Sequence, residues 1–267
     1  MRNHRARRPG HFGPRLALAL LGLASLAMTA PPPSTYGRVV LDNFSRRARI
    51  PPVGFDHWQH RARFTCRVCH VDIGFAMSAG ETKVSASTNQ GGFHCGACHN
   101  GKTTLFGKTV FASCSASEKV EQSATCRRCH ARTDPDRLDK EFEAFASRLP
   151  RDRFGNVDWE KAEASWLVKP MDFVEGASIP RKALKMNRDI SIESRGTWMT
   201  DVTFSHEKHA VWIGCEVCHP EIFPSTKSGA VKYSMLQITN GQSCGVCHQK
   251  VAFPIADCEK CHLKPVR

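Results

Sequence analysis

Phe55-Asp56-His57-Trp58-Gln59-His60 precedes Cys66-Arg67-Val68-Cys69-His70, with eleven residues from Phe55 to Cys66. The second of these stretches has the pattern Cys-x-x-Cys-His. The chain repeats it at Cys95–His99, Cys126–His130, Cys215–His219, Cys244–His248 and Cys258–His262. The six copies use twelve of the thirteen cysteines: Cys66, Cys69, Cys95, Cys98, Cys126, Cys129, Cys215, Cys218, Cys244, Cys247, Cys258 and Cys261. Two thiols at this spacing can add across two porphyrin vinyl groups, and the adjoining histidine then lies under the iron. Each copy therefore reads as an attachment site for a c-type haem. A zinc knuckle would not place a histidine after every cysteine pair, and a disulfide scaffold has no use for the histidine. The expected load is six covalently attached haems, with His70, His99, His130, His219, His248 and His262 as proximal iron ligands.

The same spacing recurs later in the chain. Phe204-Ser205-His206-Glu207-Lys208-His209 also stands eleven residues before a motif, counted from Phe204 to Cys215. Cys66 to Cys95 and Cys215 to Cys244 are both 29 residues, with Ile73 falling on Ile222 and Gly80 on Gly229. The copies diverge afterwards: Cys95 to Cys126 is 31 residues and Cys244 to Cys258 is 14, so the first copy carries a 17-residue insertion around Leu105–Ser123. A tandem duplication of a three-haem module is the economical reading. Cys114 lies in the insertion, outside every motif, and is expected to be a solitary thiol. A disulfide between chains, a thiolate ligand or an extra attachment are its functional options.

Phe-x-His-x-x-His followed by three Cys-x-x-Cys-His motifs resembles the class III multihaem cytochromes c, particularly the small three-haem type, over residues 53–130 and 202–262. The resemblance implies that His57 and His206 are distal ligands of the haems bound at His70 and His219. It implies equally that His60 and His209 serve the haems of His99 and His248. The family's third distal histidine stands four residues before the second motif, where this chain has Gly91 and Asn240, so the pattern breaks there. The implied fold is mostly irregular, with short α-helices, few or no strands and a haem-packed core.

A histidine count reaches the same gap. Of thirteen histidines, His4 and His11 lie in the first 30 residues and six are proximal. Five remain (His57, His60, His94, His206 and His209) for six irons. His94 abuts Cys95, while Ser243 stands at that position in the second copy. Met77 and Met235 are the methionines of the two 29-residue segments, and a thioether is another sixth ligand for a c-type haem. Met235 is the best candidate within the chain for the haem at Cys258–His262, whose potential it would raise above a bis-histidine value.

Arg2, Arg5, Arg7, Arg8 and Arg15 precede the apolar run Leu16–Met28, and Met28-Thr29-Ala30 suits signal-peptide cleavage. Residues 1–30 are expected to be a signal peptide and the mature protein to be periplasmic, secreted or on the outer surface. Pro31 disfavours cleavage and leaves an uncleaved anchor as the alternative. Nothing later is apolar enough to span a bilayer. Of the net charge of +13, five charges lie in this segment, leaving +8 for residues 31–267. Haem propionates absorb that excess, so the basic residues do not point to nucleic acid.

Residues 31–130 are expected to form the first module with an N-terminal wrapping segment, 131–200 a helical linker and 201–267 the second module. Asp134-Pro135 reads as the cap and first turn of a helix carrying Leu138, Phe142, Phe145 and Leu149 on one face. A second short helix after Asp158 would align Trp159, Ala162 and Trp166. Haems with two strong axial ligands pass electrons but offer no open site, so the pattern implies an electron carrier rather than an enzyme. The family resemblance implies that its partners are other redox proteins: a membrane quinol-oxidising cytochrome on one side, an outer-membrane conduit or terminal reductase on the other. The competing readings are a reductase of a small oxyanion, using one open haem, and a subunit of a cytochrome filament.

Overall fold

The computed structural model describes residues 31–114, 123–131, 134–182, 189–194, 199–224, 227 and 229–263. The expected signal segment, 1–30, lies outside the described residues. From Pro32 onward the chain forms one compact unit, and its regular elements are short. The first copy holds β1 (Arg38–Leu41), α1 (Ser45–Ala48), β2 (Val53–Asp56), α2 (His57–Arg61), α3 (Ala86–Gln90), the two-residue strands β3 (Thr104–Leu105) and β4 (Lys108–Thr109), and α4 (Ala124–Arg127). Then follow α5 (Pro135–Ala146) and α6 (Trp159–Ala164), and after them β5 (Asp189–Ile192), β6 (Val202–Ser205), α7 (His206–Ile213) and α8 (Met235–Thr239).

The duplication is visible in the pairing. β1 and β2 form an antiparallel ribbon in register Arg38↔Asp56, and β5 and β6 form its counterpart in register Asp189↔Ser205. Strand β5 lies within the stretch read from sequence as linker, yet it completes the ribbon of the second copy. Each ribbon runs directly into the helix that carries the Phe-x-His-x-x-His histidines. In the first copy Arg38 closes an ion pair with Asp56 at 2.7 Å, which fixes the strand end from which His57 starts. In the second, the Ser205 side chain caps α7 by accepting from the Lys208 amide.

The polypeptide core is one small cluster behind α2. Trp58, Leu138, Phe142, Ala146 and Val157 are buried together, with Phe145, Leu149 and Trp159 packed against them. The Asp134 side chain accepts from the Arg137 amide and Pro135 fills the first turn, so α5 starts where the cap and proline dictate. Its apolar face closes on Trp58, whose ring meets Phe145 at 4.8 Å and Phe142 at 5.5 Å. Trp58 lies between His57 and His60 in α2, and burying it aims the two histidines away from this cluster.

One expectation is corrected here. Trp166 does not share a face with Trp159 and Ala162, because α6 ends at Ala164 and Trp166 takes a positive φ of 58°. Amides of Leu167 and Val168 return to the Ala162 carbonyl. The chain thereby turns to bury Val168 and leaves Trp166 78% exposed under the ammonium of Lys169.

After α6 the chain doubles back across the first motif. Asp172 accepts from Thr65 at 2.6 Å and pairs with the buried Arg67, and Arg181 pairs with Asp72 at 2.6 Å. Arg181 also reaches Glu216 of the second copy at 3.6 Å. This strap ties the first motif to the rest of the fold. Truncating Phe142→Ala should remove α5 from its seat on Trp58, at a cost of about 3–5 kcal/mol. A lowered thermal unfolding midpoint is the expected measurement, with covalent haem content unchanged.

Candidate haem-binding site

Each motif is one helical turn. The histidine amide bonds the carbonyl of the first cysteine in His99→Cys95 (2.8 Å), His130→Cys126 (2.8 Å), His219→Cys215 (2.9 Å), His248→Cys244 (3.0 Å) and His262→Cys258 (2.9 Å). An i to i+4 closure puts the histidine on the same side of the turn as the first cysteine, as attachment to one flat ring requires. In the second and fifth motifs the residue after the first cysteine is Gly96 or Gly245. A Cβ there would collide with the carbonyl oxygen of Asn89 in α3 or Ile238 in α8. Glycine is thus required by close backbone approach, and it lets the short helix seat directly on the motif.

Five of the six proximal histidines donate Nδ1–H to a backbone carbonyl. The acceptors are Phe75 for His70 (2.9 Å), Pro51 for His130 (2.8 Å), Phe223 for His219 (2.7 Å), Phe253 for His248 (3.2 Å) and Thr200 for His262 (2.5 Å). Such a bond fixes the tautomer and leaves Nε2 as the free lone pair for a metal. Pro51 and Thr200 occupy the same position in the two copies, two residues before β2 and β6. The third motif of each copy is thereby anchored to the ribbon that opens that copy.

The distal candidates arrive opposite. His57 stacks over His70 with ring centres 6.5 Å apart and planes 3° from parallel. His60 faces His99 at 6.3 Å, and His209 faces His248 at 6.2 Å, with interplanar angles of 60° and 61°. Two metal–nitrogen bonds of about 2 Å, plus about 1 Å from each nitrogen to its ring centre, place coaxial imidazoles roughly 6 Å apart. The three pairs fit that spacing. His206 stands edge-on to Phe204 at 4.8 Å and 88°, as His57 stands to Phe55 at 4.8 Å and 89°, so the second copy presents it in the same way. His57 and His209 donate Nδ1–H to the carbonyls of Gly37 (2.5 Å) and Ser205 (2.8 Å).

His94 differs. Its ring meets Phe75 at 5.4 Å rather than another imidazole, its backbone has a positive φ of 50°, and its buried Nδ1 has no partner. It lines the same cleft as the pairs. Met235 opens α8 half-exposed, and Met77 also lines the cleft. Cys114 places its sulfur 3.7 Å from the Asn89 amide nitrogen. It lies close enough to Cys95 and Cys129 to act on both thiols.

Sequence reading missed the aromatic residues that back the imidazoles. Phe111 meets His99 at 4.4 Å and Phe253 meets His248 at 4.2 Å. Phe111 lies inside the first-copy insertion, twelve residues after His99, against five for Phe253 after His248. The insertion is therefore split around a residue that both copies keep. A phenylalanine following each second motif was the available signal, and the length difference hid it.

Apart from His206 and His219, these histidines share one cleft of about 2440 Å³, which is lined by every motif cysteine except Cys215. Its size is several times that of an ordinary ligand pocket, and its walls are largely apolar side chains, including Ile73, Phe75, Val110, Phe204, Ile222 and Phe253. The thirteen cysteines form no disulfide. Burial above all, then neighbouring thiols, pushes Cys69 and Cys247 up to about 12 and Cys95, Cys218 and Cys261 to about 11. Unpaired thiols, aimed imidazoles and apolar walls fit covalently attached haem.

A family model described as cytochrome c7 and related cytochrome c matches residues 53–131 and 202–263. Among solved structures, the chain is similar to a c7-type three-heme cytochrome domain at 36% identity, over 31% of this chain and 99% of that one, with a TM-score of 0.27. It is also similar to the C-terminal hexaheme fragment of a dodecaheme cytochrome c at 23% identity, over 85% of this chain and 96% of that one, with a TM-score of 0.26. No curated protein matches the chain.

Burial pulls His60 and His248 down to about 4, so both rings are neutral and able to ligate at neutral pH. Their values lie below the ordinary one of about 6.5. Stability that depends on the neutral rings is therefore complete above that value and is lost as pH falls towards 4. In an acid titration followed by absorbance, low-spin bands should persist well below about pH 6.5 and be lost only in stronger acid. Decay centred near 6.5 would mean that these rings are not buried ligands.

Proposed function

Because the chain belongs to the family of cytochrome c7 and related cytochromes c, we propose that it is an exported electron carrier holding six haems and working between redox partners of a respiratory or extracellular chain. The observation that carries this reading is the set of three imidazole pairs, 6.2–6.5 Å apart, along one connected cleft. When bound, haem with two strong axial ligands supplies one-electron transfer without an open coordination site.

The chain's own work is to hold rings, exclude water and keep the sites close. Carbonyls orient the imidazoles, the α2 and α7 turns place two distal histidines each, and phenylalanines shield the ring faces. The motifs form a connected series through their thiols. Cys69 lies near Cys95 and Cys98, Cys95 near Cys129, Cys218 and Cys261 near Cys244, and Cys247 near both Cys218 and Cys66. That series links every motif to at least one other, which suits hopping along the chain. In this reading His57, His60, His206 and His209 are the distal ligands of the first two haems in each copy. The signal segment would deliver the protein to the periplasm or the outer surface. Its partners would be a membrane quinol-oxidising cytochrome and an outer-membrane conduit or terminal reductase. No helix among the described residues is long and apolar enough to cross a membrane.

One observation favours a second reading at two sites. The two Phe-x-His-x-x-His segments supply no histidine for His130 or His262, and among the described residues no imidazole ring meets either. The haem at Cys258–His262 would then take Met235, or a ligand from a second copy as in a filament. An open face there would suit a reductase of a small oxyanion instead.

Mass spectrometry of protein matured with the haem-attachment machinery should show six haem additions, and five or fewer would remove a motif from the set. Met235→Leu should convert one haem to high spin by electron paramagnetic resonance and shift one step of a redox titration. Unchanged spectra in that variant would leave Met235 a packing residue.

A further inference from the structure

Arg61 is the last residue of α2, one position beyond His60, and it points away from the copy that carries it. Its guanidinium lies over the ring of Trp159 at 4.8 Å and that of Trp212 at 5.0 Å. Trp159 belongs to α6 between the copies and Trp212 to α7 of the second. One terminal nitrogen donates to the carbonyl of Val251, just beyond the fifth motif. The buried Nε has no hydrogen-bond partner, and among the described residues no ion pair joins the guanidinium to a carboxylate. Glu163, a charge acting on it, does so from farther away. A cation in this setting is expensive unless something anionic or polarisable offsets it.

The neighbourhood is specific. Arg61 acts electrostatically on Cys66 and Cys247, and on His57 and His248. Cys66 and His57 belong to the first haem site of the first copy. Cys247 and His248 belong to the second haem site of the second copy. The same junction is sealed by the Tyr36 hydroxyl donating to the Ala252 carbonyl at 2.5 Å. At Gly37 an added Cβ would touch the Lys250 carbonyl at 3.4 Å.

We propose that Arg61 is the electrostatic joint between the two copies: electrons cross between the haem of Cys66–His70 and the haem of Cys244–His248, and this fixed cation sets the reduction potential of both. The proposal rests on the reading that both motifs carry haem. The crossing moves one electron from one iron to the other; no bond forms or breaks and no proton is transferred. Reduction adds negative charge to a site, so a nearby cation shielded from water stabilises the reduced form. Its charge does not change as the electron passes, so the same cation acts on both sites throughout the transfer.

The test is a redox titration of the full protein in which each haem is followed by its own paramagnetic methyl resonances. In Arg61→Gln, the potentials of these two haems should fall while those of the third haem in each copy stay unchanged. Arg61→Lys, which keeps the charge, should restore most of the loss. No shift, an equal shift of all six, or an equal fall in Arg61→Lys would overturn the proposal. If Arg61→Gln does not mature, Trp212→Leu admits water beside the guanidinium and should lower the same two potentials by screening. Unchanged potentials in that variant overturn it as well. Haem mass on the wild type separates the two levels: a motif without haem at Cys66 or Cys244 defeats the haem reading itself, whereas a full load with unmoved potentials defeats only the role of Arg61.

Discussion

Three pairs of imidazoles face each other about 6 Å apart, the spacing that an iron held between two neutral rings would need, and most of the secondary structure here serves to hold those rings. The two β-ribbons end where the Phe-x-His-x-x-His helices begin. The motif turns present the opposing histidines, and backbone carbonyls lock five of those six by their Nδ1 atoms. Backbone carbonyls suit this task because their positions follow from the chain path, whereas a side-chain acceptor could rotate away. The short helices α3 and α8 complete the frame, and they seat directly on motifs whose glycines admit them.

The arrangement leaves little ordinary core. One apolar cluster, centred on Trp58 and Phe142, backs α2, and many other apolar side chains, such as Ile73, Phe75, Ile222 and Phe253, line the cleft. Cohesion elsewhere comes from the strap that pairs Asp172 with Arg67 and Arg181 with Asp72. It comes also from contacts between copies through Tyr36, Arg61 and the turn at Val251–Ala252. The two copies are consequently not independent beads. Arg61, next to His60 in the first copy, packs against a tryptophan of the second, so the placement of His60 and the packing of the second copy depend on the same helix, α2.

The two copies also show how a duplicated frame tolerates change. The insertion after the second motif adds a small ribbon, β3 with β4, yet Phe111 returns to the ring of His99 as Phe253 does to His248. What is retained is the aromatic contact, because it shields the imidazole; the length of chain that delivers it is free. At His94 and Ser243 the backbone shares a φ of 50°, so the frame is common while the side chain is not.

The chemistry is written locally: the Cys-x-x-Cys-His turns, the equal 29-residue spacings and the paired Phe-x-His-x-x-His segments point to cofactor type, candidate iron ligands and duplication. They do so because attachment to a flat ring is a local demand met within a single turn. The α5 helix was legible for the same reason, its Asp134 cap and apolar face being local signals. The second ribbon escaped, because Asp189–Ile192 becomes a strand only by meeting Val202–Ser205. Trp166 escaped because the end of α6 is decided by amides of Leu167 and Val168 turning back to Ala162. The carbonyl acceptors of His130 and His262, 79 and 62 residues away in sequence, and the place of Arg61 between two tryptophans belong to the tertiary structure alone. Nothing in the order of residues marks which distant backbone oxygen or ring will be adjacent, because that follows from how each copy folds back on its own ribbon and how the two copies close on each other.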